Sequence, residues 1–202
     1  MLREPIFKPV NDPIVGVITE ADVQQIAREY EQGEDLRTVL HPYLRYTYLR
    51  DEFRAFVTAV KQAEFYRNAR IREIRYVTGQ PYETAQEMRQ RVEESGILRI
   101  STDFNTDEFL GERGNLEFRA AHDMHHIRSE HCNFNLWGEI CAYAKFASYT
   151  RIGVFRSILF SEIVAQVCVL RTTGDFPIAQ KIVLHNPDII RKVDRAYGIT
   201  DY

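Results

Sequence analysis

The segment from Val154 to Thr172 constrains the fold of this 202-residue chain more than any other, because it is apolar on nearly every helical face. A helix without a polar face has to be surrounded by other elements. With 45% hydrophobic residues, the chain has enough apolar material to cover such a helix within one domain. We therefore expect an all-α, single-domain helical bundle with this segment at its centre.

Apolar residues that recur every three or four positions predict further helices around this segment. We expect residues 43–77 to form one long helix or two helices in line. The stretch 97–114 is expected to be an ordered loop, with 97–101 as its only strand-like run. The remaining predicted helices start after Thr19 or cover residues 82–94, 115–130, 136–149, 178–184 and the stretch from 187 onward.

Residues 1–19 contain three prolines and are predicted to form an extended arm on the helical domain of residues 20–202. We expect the arm to pack onto the body through its apolar side chains, which are Ile6, Phe7, Ile14, Val15 and Val17.

The charge pattern predicts neither a nucleic-acid partner nor a membrane partner. The formal net charge is −3, and the arginines and tyrosines of residues 43–77 are interrupted by acidic residues, as on a solvated helix face. No run reaches the roughly 18–20 apolar residues of a membrane-spanning helix, so we expect a cytoplasmic protein. Three cysteines, an odd number, favour reduced, buried thiols.

Four of the five residues from His122 to His126 are histidine or aspartate. Residues four apart on an α-helix project from the same face, so His122 and His126 can bind one metal ion together. Asp123 can be a third ligand or can orient an imidazole, and His125, on the adjoining face, is predicted to be spare. The alternative interpretation is a solvated cluster without a metal.

A further ligand has to come from elsewhere in the chain, and Glu162 is the first candidate. It interrupts a nearly all-apolar helix, where a buried carboxylate must be compensated by a metal or by an ion pair with an arginine. Gln166, one turn later, can hold Glu162 or a bound water, and is therefore a candidate catalytic residue together with Asp123. Glu139 is the second candidate ligand; alternatively, it is an exposed glutamate favoured by a helix N-terminus.

The run from Phe118 to His126 resembles an F-R-A-x-H-D-x-x-H box of poorly characterised helical proteins, several of them phage-borne. This resemblance implies a helical metal-binding fold and names no substrate. His122-Asp123, followed by His126, also resembles the dyad of the HD phosphohydrolases. That second resemblance implies an additional histidine, for which only His41 precedes the box, and a later aspartate, which would be Asp175 or Asp188. Whether His185 joins the site is left open.

Ferritin-like and haem-oxygenase-like oxidases build iron or manganese sites from Glu and His inside helical bundles. This chain has no Glu-x-x-His motif; a site of two His and one carboxylate is instead similar to the arrangement suited to non-haem iron(II). We expect a non-haem iron or manganese oxidase or oxygenase acting on a small molecule, with zinc as a further metal. The alternatives are an HD-type phosphohydrolase and a non-catalytic structural or assembly protein. The many aromatic residues leave room for a homodimer surface.

Overall fold

The computed structural model describes residues 12–40, 45–103, 105, 109–177 and 180–199. Most of these residues are helical, as predicted. They also include one pair of short strands, so the predicted all-α class is not fully correct. The elements in chain order are α1 (Glu20–Gln32), α2 (Leu36–Leu40), α3 (Arg45–Arg67), β1 (Glu73–Val77), α4 (Ala85–Ser95), β2 (Ile97–Ser101), α5 (Gly111–Ile127), α6 (Leu136–Ala147), α7 (Gly153–Leu159), a π-helical segment (Phe160–Ala165), α8 (Gln166–Thr173) and α9 (Pro187–Ala196).

The predicted central helix is present as α7, the π segment and α8, which together form one uninterrupted helix over Gly153–Thr173. Helices α1, α6 and α9 pack around it. By length and composition alone this helix is apolar enough to cross a membrane, whereas the sequence pattern predicts no such segment. However, 67% of its most apolar 18-residue window is buried inside the molecule. It therefore has the environment of a core helix.

The N-terminal arm contacts the body through some of the predicted side chains. Val17 is buried and Ile14 packs against the core. Val15, in contrast, is 73% exposed, so its predicted contact is wrong. Ile6 and Phe7 lie outside the described residues.

The two strands are parallel, with Glu73 opposite Ile97 and Val77 opposite Ser101, and α4 connects them as a β–α–β unit. The predicted helix over 43–77 is therefore wrong at its end, since α3 stops at Arg67 and residues 73–77 are a strand. The strand-like run at 97–101 is indeed a strand, and α5 begins at residue 111 within the predicted loop.

Helix α5 lies between two hydrophobic clusters. It gives Phe118 and Ala121 to the larger cluster around the central helix. It gives Ala120, Met124 and Ile127 to a smaller cluster formed with the β–α–β unit. The histidine box is therefore held from two sides. The three cysteines are buried, unbridged thiols, as predicted.

The chain before α9 differs from its prediction. Residues 180–184 are not helical, and 178–179 lie outside the described part of the chain. Ile182 and Val183 are buried, and their backbone groups bond to Leu36 N–H and Ser161 Oγ. Hydrogen bonds to neighbouring helices thus fix this segment, in place of the hydrogen bonds of the predicted helix.

Candidate metal centre

His122 and His126 lie one turn apart on α5 and both reach Glu139 of α6. His122 Nε2 is 2.8 Å from Glu139 Oε2, and His126 Nε2 is 3.4 Å from the same oxygen. The two Nε2 atoms are 3.2 Å apart. The structure thus brings together two imidazoles and one carboxylate that could hold a metal ion.

These separations match the edges of a coordination polyhedron. Ligand atoms at about 2.1 Å from a common ion lie about 3.0 Å apart in neighbouring positions of an octahedron and about 3.4 Å apart in a tetrahedron. The observed values of 2.8, 3.2 and 3.4 Å span this range. The three distances are therefore compatible with one divalent ion bound by all three atoms, which would leave further coordination positions for other ligands.

The far nitrogen of each imidazole also has an oxygen beside it. His126 Nδ1 is 3.2 Å from the backbone oxygen of Cys132, and His122 Nδ1 is 3.4 Å from Asp123 Oδ1. An oxygen at Nδ1 favours the proton on that nitrogen and leaves the Nε2 lone pair for a metal. Of its two predicted roles, Asp123 therefore has the geometry of an orienting group.

Glu139 owes its position to a close approach at the start of α6. Asn135 caps this helix, its side-chain oxygen accepting from Gly138 N–H at 3.0 Å. A Cβ atom on Gly138 would lie 1.9 Å from the carbonyl oxygen of Asn133, so only glycine lets the preceding loop approach the first turn. Glu139 is only 8% exposed, which rules out the alternative of a solvated glutamate.

Charges in the centre are strongly coupled. Burial lowers the pKa of His122, but the Glu139 carboxylate and then Asp123 outweigh burial and raise it to about 10. Burial raises the pKa of Glu139, yet the charges of His126 and His122 bring it well below its usual range. In the absence of a metal, His122 and Glu139 are therefore an imidazolium and a carboxylate in contact.

A cavity of about 400 Å³ opens beside Asp123 and Glu139. Its lining contains both polar and apolar side chains. The polar ones include Arg119, whose Nη1 donates to the carbonyl oxygens of Ser101 and Asp103. The apolar ones, called the apolar wall below, include Phe134, Val167, Leu170 and Phe176. A cavity of this size and mixed lining is typical of small-molecule sites.

Glu162, the carboxylate favoured by the sequence, is not part of the histidine group. Gln166 Nε2 donates to Glu162 Oε2 at 3.1 Å, so the predicted pairing of these two residues is present. The cavity wall, however, is formed by Val167 and Leu170 of α8. The structure thus groups the second candidate, Glu139, and not Glu162 with the two histidines, and neither Glu162 nor Gln166 is among the residues that line the cavity.

His125 faces away from the centre into a buried polar cluster that the sequence did not predict. It is fully buried, neither ring nitrogen has a hydrogen-bond partner among the described residues, and Nδ1 is 3.9 Å from Glu64 Oε2. Glu64 is itself fully buried, and it accepts hydrogen bonds from Arg128 and from the Tyr149 hydroxyl. Burial, followed by the charge of Lys145, lowers the pKa of His125 well below its usual value. His125 is a neutral packing group here.

The other predicted participants lie elsewhere or cannot be placed. His185 Nδ1 is 3.3 Å from Glu29 Oε2, and His185 does not belong to the group of possible metal ligands. Asp175 and Asp188 are exposed and do not belong to the histidine group. His41 lies outside the described residues.

No family model, no curated protein and no solved structure matches this chain.

Proposed function

We propose that this protein is a metal-dependent enzyme in which His122, His126 and Glu139 bind one divalent transition metal ion. The observation that carries the proposal is the set of three donor atoms at mutual distances of 2.8–3.4 Å beside a cavity of about 400 Å³. A structural site would have its coordination closed by protein ligands, whereas a catalytic site keeps positions open for substrate.

Iron(II) is our first choice of metal and manganese(II) our second, with oxidase or oxygenase activity. Two histidines and one carboxylate on one face of an octahedron are the ligand set of non-haem iron(II) oxygenases. When bound, such an ion would supply the activation of dioxygen at its open positions.

The protein's own residues would orient the ligands and select the substrate. The Cys132 carbonyl and the Asp123 carboxylate would hold the Nδ1 protons, so that both Nε2 atoms remain available as ligands. Phe134, Leu170 and the rest of the apolar wall would bind a small, largely apolar molecule and exclude water from the reacting face.

Metal content is the direct test. We expect protein purified without added metal to contain about one equivalent of a transition metal, and the metal-free form to take up one equivalent of Fe²⁺ or Mn²⁺. His122→Ala and Glu139→Gln should weaken uptake by at least about 100-fold, more than the loss typical of groups outside the ligand shell. Oxygen consumption by the Fe²⁺ form, measured with candidate apolar substrates, then tests the oxidase assignment.

Two variants are matched controls. Glu162→Gln removes the one carboxylate of the helix Gly153–Thr173, which is not part of the ligand group, and His131→Ala removes a histidine whose side chain is 70% exposed. Both should bind metal as the wild type does. Protein without stoichiometric metal, together with unchanged stability of His122→Ala, would contradict the proposal and favour a structural or assembly protein.

A metal-dependent hydrolase is the second candidate, because two histidines and one glutamate also bind catalytic zinc. Its HD-type version would use Asp123 as a ligand, whereas the contact of this carboxylate with His122 Nδ1 favours the oxidase. Stoichiometric zinc and release of phosphate from nucleotides by the metal-loaded protein would reverse this order.

A further inference from the structure

Arg89 connects an element without any ligand to the metal centre. It lies on α4, within the β–α–β unit, and crosses to the loop that joins α5 to α6. Its Nη1 atom is within hydrogen-bond distance of the carbonyl oxygens of His126, Ser129 and Cys132, at 3.2, 3.0 and 3.1 Å. Its Nη2 atom donates to Asn133 Oδ1 at 3.1 Å.

Two of these carbonyl groups belong to the centre itself. The His126 carbonyl is the backbone of a ligand, and the Cys132 carbonyl is the group next to His126 Nδ1. A positive charge at the last carbonyls of α5 is also favoured by the helix dipole. Arg89 therefore fixes both the backbone of His126 and the oxygen that orients its ring.

The fourth contact extends this effect to the other helix. Asn133, which Arg89 binds through the side chain, is the residue whose backbone packs against Gly138. Gly138 immediately precedes Glu139. A single guanidinium group thus bonds both to the end of the helix that carries the two histidines and to the loop that leads to the helix that carries the carboxylate.

We propose that Arg89 is a positioning residue of the metal centre, which holds His126 in its ligating orientation through the Cys132 carbonyl. This role rests on the proposed function. Lysine can replace arginine here only in part, because one ammonium group lacks the planar fork that reaches several acceptors at once.

Cobalt binding tests this role without reference to a substrate. The metal-free protein is titrated with Co²⁺ against a chromophoric chelator, and the visible spectrum of the Co²⁺ form is recorded as a signature of ligand geometry. We expect Arg89→Met to lose about 10- to 100-fold in Co²⁺ affinity, as is usual for groups that orient ligands, and to change the spectrum. Arg89→Lys should bind Co²⁺ with intermediate affinity.

Two controls separate positioning from general stability. Arg91→Met removes the same charge from the same helix, at an exposed arginine paired with Glu87. Val193→Ala destabilises the core at α9, which contributes no residue to the centre. Both should keep wild-type Co²⁺ affinity and spectrum.

The outcomes are distinct. Wild-type affinity and spectrum in folded Arg89→Met or Arg89→Lys would overturn the role of Arg89 and leave the metal centre intact. An equal loss in Val193→Ala would show that the effect is general destabilisation and would overturn it as well. Failure of the wild-type protein to bind Co²⁺ would overturn the metal centre, and this role with it.

Discussion

His122 is a positively charged imidazolium at neutral pH in the metal-free protein. Burial alone would lower its pKa, but contact with the Glu139 carboxylate prevails and the value is about 10. A metal ion binds the neutral imidazole and not the imidazolium, so the ion and the second ring proton compete for Nε2 of His122.

Metal binding should therefore release close to one proton between pH 6.5 and 8.5. Because His122 stays protonated below its raised pKa, the apparent affinity should rise about tenfold per pH unit over this range. Titration of Co²⁺ at several pH values measures the slope, and calorimetry in buffers of different ionisation enthalpy counts the protons. Affinity that does not change with pH in this range would contradict the expectation.

At this scale the sequence predicted part of the centre. The pairing of His122 with His126 follows from helical geometry alone, because residues four apart share a face. The choice between Glu139 and Glu162 does not, since both are carboxylates in apolar surroundings. It depends on how α6 approaches α5. The close contact between Gly138 and Asn133 that sets this approach cannot be predicted from the sequence.

The elements around the centre depend on one tightly packed turn. The loop before α6 touches the first turn of this helix at Gly138, where the backbone of Asn133 occupies the position of a Cβ atom.

Gly138→Ala should reduce the free energy of unfolding by about 1–3 kcal/mol, the usual cost of forcing a side chain into a packed site. It should also weaken metal binding, because the displaced turn carries Glu139. Gly153→Ala is the control, since a Cβ atom there has no atom within 4 Å; we expect a change of at most about 1 kcal/mol. Urea denaturation measures both, and equal stability of the two variants would contradict the prediction.

Helix boundaries with local signals were predictable and those without were not. The helix predicted to start after Thr19 begins with a capping box of Thr19 and Asp22, and Gly96 ends α4 in a left-handed conformation. Strand β1 has no such signal. Three of its five residues are exposed and two are charged, and the strand follows α3 without an intervening glycine or proline. Its pairing with β2 is what separates it from a helix.

At the scale of the whole molecule, a buried ion pair connects α9 to two other helices. Asp194 of α9 accepts from Arg156 Nη1 of α7 at 3.2 Å and from the Tyr143 hydroxyl of α6 at 2.9 Å. Arg156 also donates to the carbonyl oxygen of Thr150. Three helices thus meet at one carboxylate that is 2% exposed.

Asp194→Ala should destabilise the protein by about 3–5 kcal/mol, because it leaves the Arg156 charge buried without its partner. Asp51→Ala, which breaks an exposed pair with Arg50, should cost at most about 1 kcal/mol. Thermal and urea denaturation compare the two variants. If Asp194→Ala lowers the free energy of unfolding by less than about 1 kcal/mol, the pair contributes little to the stability of the fold.

The π segment at Phe160–Ala165 sets the phase of the helix that follows it. A π turn takes in one residue more than an α turn, and each residue turns the helix by about 100°. Deleting one residue here would leave a continuous apolar α-helix but would rotate Val167 and Leu170 away from the cavity. Variation of chain length by a single residue at this point would therefore change which residues of α8 line the cavity, while His122, His126 and Glu139 stay the same.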